Sequence, residues 1–470
     1  MFKAFLFSTC CFLLSSTLYA QTISRDSMAN TLERITRVFE AYHPNAYHYT
    51  DSLSLQELRT ELVRHLPARV DSLTAQRTFR RYVCAYGDAH SRVYGPAVDA
   101  AYRRAQIFPF DVRHQSGGWT IYRDFRSAPD VPRTGATLLR INGTSMTTLT
   151  ATMRTYATRE TESLDNYVLG QNFAHYYWLA FGDATEFRIE FADGTTLTAA
   201  ATSPGARRAA LPPSSERART TLAFPDARTA LLTITDFGGA VKTFKQELAD
   251  AFAQINAAGA ETLVLDLRDH DGGDARMGED LARYLADGPV QRFAHSEYRL
   301  TESFQQAFKN TYLPGALGKL LPVLKRVHPM VRGAFVGALG ANNRVEYRAK
   351  RPYGNAKRFH GRVVLLTSED TFSAGTCFAA LFQDYRLGTI VGRESGNLAN
   401  FHADALIGMS LPLGARVDIS TSYLVRPGGD ETAQPVQPDV YVPVGEDILA
   451  AALKLVSADA AADAAAVARY

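Results

Sequence analysis

The sequence predicts an α/β protein whose largest domain is a mixed or parallel sheet with flanking helices. Three observations predict it. Between residues 223 and 456, short apolar β-rich runs recur, as in ETLVLDLRDHDGG, RVVLLT and GTIVG. Segments with apolar residues three and four apart, such as TFKQELADAFAQINAAG and MGEDLARYLADG, stand between them. Strands alternating with helices become parallel neighbours, because the crossover helix carries the chain back to the same end of the sheet. Third, glycine and polar residues cluster directly after two of these runs, where ligands bind in open α/β sheets.

The remaining segments follow in chain order. MFKAFLFSTCCFLLSSTLYAQ places Lys3 before an apolar run from Phe5 to Leu18 and a small-residue exit at Ala20. That is the layout of a secretory signal peptide, too short for a spanning helix, so residues 1–20 are expected to be removed on export to the periplasm or outside the cell. A lipid anchor at Cys10 or Cys11 fits less well, since it would cut the apolar run in half. No later transmembrane segment is expected. Residues 21–100 predict a helical domain of three short helices, in MANTLERITRVFEAY, SLQELRTELVRHLP and DSLTAQRTFRRYVCAYG. Ser54 and Glu57 have capping-box spacing, and Pro67 and Gly87 are stops. Residues 101–205 carry strand-like WTIYRDF, ATLLRING and FRIEFADGTTLTAAT around a helical TTLTATMRTYATRE, a small β-rich module. A Pro/Ser/Arg-rich linker covers 206–222. Residues 288–355, amphipathic and rich in Lys and Arg, read as an insertion or lid, and 457–470 as an Ala-rich helical tail.

Composition excludes little but bounds the answer. Roughly 450 residues after the leader suffice for two or three domains, and 46% hydrophobic against 21% charged residues supplies real cores. A net charge of +3 gives no reason to expect a nucleic-acid partner. Beyond the leader only Cys84 and Cys377 remain, either two thiols or one disulfide. The sequence has no HExxH, CxxC or calcium-loop spacing, so neither a metal nor any other cofactor is expected.

The chemistry points to EDTFSAGTCFAALF, Glu369 to Phe382, where a strand hands over to a helix. Ser373 at a helix start has backbone N–H donors beside it, and Gly272 and Gly273 let a second backbone segment approach. Together these supply a nucleophile and an oxyanion hole. Each motif alone is equally an N-cap or a tight turn. A serine nucleophile needs a base, and the only lysine after Ser373 is Lys454 on an expected surface helix. Histidine is left: His90 in YGDAHSRVY, His270 inside the glycine turn, His360, or His402 in NFHADAL. His270 reads as a surface turn residue and His402 as a pocket residue. A carboxylate to orient the imidazole comes from Asp88, Glu394, Asp430 or Glu431.

In this order DLRDHDGG, TFSAGT, VGRESG and DETAQPVQPDVYV resemble the catalytic domain of the tail-specific, or C-terminal processing, serine peptidases. YGDAHS and ATLLRINGTSM are similar to the segments that family carries before and within its PDZ-like module. The resemblance covers most of the chain beyond the leader. It implies a crotonase-like (ClpP-like) catalytic domain, a PDZ-like domain over 101–205, and Ser373 as nucleophile. It implies oxyanion donors from Ala374 and from Gly272 or Gly273, with Ala374 and Gly375 leaving room for the substrate carbonyl. The serine–lysine branch carries its lysine in the loop that reads GRESGN here, with Glu394 and Asn397. The chain therefore resembles the tricorn-like branch, which implies His90 as base and Glu431 as its carboxylate, with Asp430 and Glu394 as substitutes. Ala89 and Ser91 depart from that family's glycine and threonine but remove no catalytic group. The expected partner is a peptide or unfolded protein, gripped by its C-terminus through β-augmentation.

Three other functions compete. A non-catalytic relative would keep the fold and bind peptides, proteins or small ligands. An esterase is disfavoured because no GxSxG surrounds Ser373. A crotonase-like lyase would have no use for a serine with a histidine.

Overall fold

The computed structural model describes residues 22–115, 117–126, 131–157, 160–211 and 218–467, so the expected signal segment 1–20 lies outside the described residues. Contacts divide the chain into two compact units that do not follow chain order. The first takes the chain up to Pro213 together with Tyr298–Asn343 and His402–Ser422. The second takes Ser214–Glu297, Arg344–Phe401 and the chain from Tyr423. Most of the segment expected as an insertion, 298–343, thus groups with the first unit.

The second unit is built on a six-stranded sheet whose spatial order is its chain order: Thr220–Asp226, Thr229–Ile234, Thr262–Asp266, Arg362–Thr367, Thr389–Gly392 and Val440–Tyr441. The first pair is antiparallel and the other four pairings are parallel. TLVLD and RVVLLT are apolar on both faces because both faces are covered, as parallel strands require. Side chains alternate across the sheet. Leu263, Leu265, Val363 and Leu365 enter a core shared with helices Val241–Ala257, Ala275–Ala282 and Ala374–Asp384. Val264, Val364, Leu366 and Val391 meet Ile448, Ala452 and Val456 of the C-terminal helix Ile448–Val467 on the other face. Each such fully buried side chain contributes about 2 kcal/mol.

In the first unit, helices Arg25–Tyr42, Ser52–Arg64 and Ser72–Cys84 surround Met28, Leu32, Ile35, Phe39 and Phe79. The second of these helices starts earlier than the Ser54/Glu57 spacing predicts: Asp51 caps it by accepting the Ser54 N–H at 2.8 Å, which places Ser54 at the third helical position. An antiparallel sheet of Ile407–Ser410, Arg416–Ile419 and Arg92–Tyr94 adds Leu411, Leu413, Val417 and Ile419 to the same core. A separate core fills the β-rich segment. It lies under the pair Phe110–Gln115 and Gly118–Asp124 and under the sheet ordered Thr144–Ser145, Leu138–Ile141, Glu186–Phe191, Thr196–Ala200. Two helices here, Glu162–Gln171 and Phe173–Phe181, are absent from the sequence reading. FAHYYWLAF is apolar almost all round and carries no polar stripe to betray its period.

Candidate active site

Ser373 stands at the junction of strand Arg362–Thr367 and helix Ala374–Asp384. It occupies the N-cap position, yet its side chain makes no capping bond, and its backbone sits at φ 54°, ψ −118°. A residue other than glycine is strained there, at a cost of about 1–3 kcal/mol. Neighbours hold it: the Ser373 N–H donates to Asn397 Oδ1 at 2.7 Å, and Cys377 N–H donates to the Ser373 carbonyl at 3.0 Å. Cys377 and Cys84 are thiols and not a disulfide.

Asn397 is fully buried and belongs to a stapled loop. Ser395 Oγ donates to the Asn397 carbonyl at 2.8 Å and accepts the Val436 N–H at 2.9 Å. Gly396 N–H reaches the Thr371 carbonyl at 3.0 Å, and Arg393 pairs with Glu369 at 2.8 Å. The sequence marks Asn397 only as the place of a missing lysine; its place as acceptor for the serine amide could be found only once GRESGN was folded beside that turn. Asn397→Ala leaves a buried N–H unpaired, so stability should fall by about 1–3 kcal/mol. Turnover of any reaction at Ser373 should fall with little change in KM, as steady-state kinetics beside thermal melts would show.

The glycine turn follows the neighbouring strand Thr262–Asp266. His270 is not a surface residue: it is fully buried, with its ring 4.2 Å from that of Phe237. Its Nδ1 accepts the Gly272 N–H at 3.2 Å, so the proton sits on Nε2, and burial lowers its pKa to about 4. The turn is fixed from the other side as well. Phe237 N–H donates to Gly272 O at 2.7 Å and Asp274 N–H to Phe237 O at 2.8 Å, a parallel bridge that turns the Gly273 amide the opposite way.

Gly272 and Gly273 have φ of 111° and 124°, open to glycine alone. A Cβ on Gly272 would lie 2.7 Å from Ser373 Cβ and 3.2 Å from Oγ, so the turn lies directly against the serine side chain. Gly375 has a different reason from substrate room. A Cβ there would meet His270 Nδ1 at 2.6 Å, so the first turn of the helix packs on the buried imidazole. Among the described residues, no acceptor takes the N–H of Gly273 or Ala374, whereas that of Gly272 is engaged.

The other predicted residues fall in two places. In the first unit, Asp88 is buried and organises the His90 loop. Its carboxylate accepts the His90 N–H at 2.9 Å and the Ser91 hydroxyl, and lies 3.4 Å from His43 Nε2. Burial pushes Asp88 up, but the hydrogen bond and charge of His43, with His402 and His90, bring it well below the usual carboxylate range. Burial lowers His90 to about 4, leaving a neutral imidazole at neutral pH. Asp88, His90 and Glu160 bring three ligand-type atoms within 4.8 Å of one another, the one grouping among the described residues with metal-ligating spacing. His402 lines no open pocket: it is fully buried, its ring 4.1 Å from His43, and its Nδ1 is 3.3 Å from the Tyr49 hydroxyl.

In the second unit, Glu394 Oε2 accepts from Gln437 Nε2 at 3.0 Å. Asp430 accepts the Thr432 N–H at 3.0 Å and its hydroxyl at 2.6 Å, an exposed turn. Glu431 is exposed, and its charge, after burial, helps to push the Tyr423 phenol up to about 12.

Residues 228–442 match the model of peptidase family S41. Among solved structures, mature CPAF complexed with lactacystin aligns with a TM-score of 0.60 at 13% identity, over 89% of this chain and 94% of that one. A CPAF mutant aligns with a TM-score of 0.63 at 14% identity, over 90% and 94%. These are likenesses of fold. No match was found among curated proteins. The family match spans the serine, the glycine turn and every strand of the six-stranded sheet but the first, and on it residues 228–442 belong to peptidase family S41, the tail-specific proteases: the protein is a serine-type peptidase, a hydrolase.

Proposed function

We propose that the chain is an exported serine endopeptidase, periplasmic or extracellular, of the tricorn-like branch. Ser373 attacks a peptide carbonyl, His90 takes its proton and returns it to the leaving amine, and Glu431 holds the imidazole in the useful tautomer. The amides of Gly273 and Ala374 receive the oxyanion, Gly272 shaping the turn between them, and water then releases the acyl-enzyme. Asp88, with its oxygens already engaged by the His90 loop, serves as an anchor for that loop. The catalytic domain is crotonase-like and residues 101–205 are PDZ-like, offering a strand edge to a substrate C-terminus. One observation carries this reading: a strained serine that caps nothing, with two unengaged backbone N–H groups beside it.

The test is covalent labelling by a fluorophosphonate. Native protein should label, S373A should not, and H90A should label at least a hundredfold more slowly. Since His90 must be neutral to act as base, the labelling rate should hold as pH falls to about 5 and drop through about 4, the pKa that burial gives it. Native protein that stays unlabelled while well folded would point instead to a non-catalytic relative that binds peptides, proteins or small ligands. Labelling that survives S373A would put the nucleophile elsewhere.

A further inference from the structure

Between Glu302 and Glu346 the chain has no acidic residue, and the part of this stretch in the first unit carries Lys309, Lys319, Lys325, Arg326 and Arg332. The same stretch is unusually greasy at its surface. Seven of the sixteen large hydrophobic side chains exposed among the described residues fall between Tyr312 and Leu339, including Leu320, Val323 and Val327 at 50%, 58% and 69% exposure. The turn Gly315–Leu320 and helix Leu321–Val327 bury no residue at all.

Helical spacing puts Leu320, Val323, Leu324 and Val327 in one stripe, with Lys325 and Arg326 on its flanks. No ion pair engages Lys319, Lys325, Arg326 or Arg332 among the described residues; Lys325 instead lies 5.1 Å from the Phe335 ring centre. A contiguous apolar surface flanked by unneutralised cations calls for a partner that is apolar within and anionic at its face.

We propose that residues 312–339 form a docking surface for an anionic lipid bilayer, with the Leu320–Val327 stripe in the acyl boundary and the flanking cations at the headgroups. No helix of the described residues is long and apolar enough to cross a membrane, so the contact is interfacial. Charge decides among occupants. A second copy would set one acid-free cationic patch against another. A nucleic acid would match the charge but gain nothing from exposed valines and leucines.

Flotation of the full chain with vesicles of phosphatidylcholine alone, or with about a third phosphatidylglycerol, tests this. Binding should require the anionic lipid and weaken with salt. K319Q/R326Q should weaken it about 25-fold, at roughly fivefold per cation, and V323S/V327S should weaken it at least tenfold. The N-terminal apolar run is common to all these proteins, so the differences report on the patch, and the exposed positions leave the fold intact, as melting curves would confirm. Equal binding to neutral vesicles, or no loss in either variant, overturns the proposal. So does a dimer, seen by sedimentation, that V323S/V327S dissociates, which would assign the face to a second copy.

Discussion

Ser373→Ala should lower peptide hydrolysis by a factor on the order of 10⁶, the loss seen when a serine nucleophile acting as part of a unit is removed. Its fold should stay intact. The informative comparison is with Ser373→Gly, equally inactive but free of the strain at φ 54°. An ordinary serine-to-glycine change destabilises by up to about 1 kcal/mol through chain entropy. Here relief of about 1–3 kcal/mol opposes that cost. S373G should therefore melt at or above S373A. If S373G melted clearly below S373A, the strained conformation at the serine would be wrong, and with it the main reason for regarding this residue as more than a helix start.

Gly272→Ala should have the next largest effect, although it retains the serine. The new methyl would come within 2.7 Å of Ser373 Cβ, and alanine is strained at φ 111°. Either the turn retreats, carrying the Gly273 amide with it, or the serine is pushed aside. Displacement of about 1 Å or loss of one oxyanion donor each costs on the order of 10²–10³ in turnover. Stability should fall by about 1–3 kcal/mol. Fluorophosphonate labelling separates the two: a folded G272A that labels at the native rate would show that the turn has no part in the chemistry.

Much of the second unit was legible because its signals are local. RVVLLT and TLVLD are apolar on consecutive residues, and the residues that punctuate them, DGG and SAG, fall where the strands end. The reasons for those small residues were less legible. Gly375 looks like substrate room in the sequence, but the demand comes from the ring of His270, about a hundred residues earlier, which looks polar and therefore exposed. Burial of His270 and His402 is decided by what covers them, and nothing near either residue encodes the cover. Asp51 outcompeted Ser54 as a cap through a three-residue shift that the S-x-x-E pattern conceals. The helix Phe173–Phe181 was lost because an apolar residue at nearly every position erases the helical period. The grouping of Tyr298–Asn343 and His402–Ser422 with the first unit was illegible for a plainer reason: periodicity says what an element is, not which core it fills.

That last arrangement bears on how the molecule is made. The core begun by Met28, Leu32 and Phe79 is completed by Leu413, Val417 and Ile419, with Gln76 Nε2 donating to the Leu413 carbonyl at 2.9 Å. During synthesis the amino-terminal helices emerge first but wait for almost the whole chain before their hydrophobic faces are closed. Meanwhile the parallel strands of the second unit, paired in chain order, are each added next to the one before. Contacts of such long sequence separation are slow to form and leave apolar surface exposed in the interval. The part of the protein translated first is thus finished late, and a chain stopped short of residue 402 lacks a piece of its oldest core.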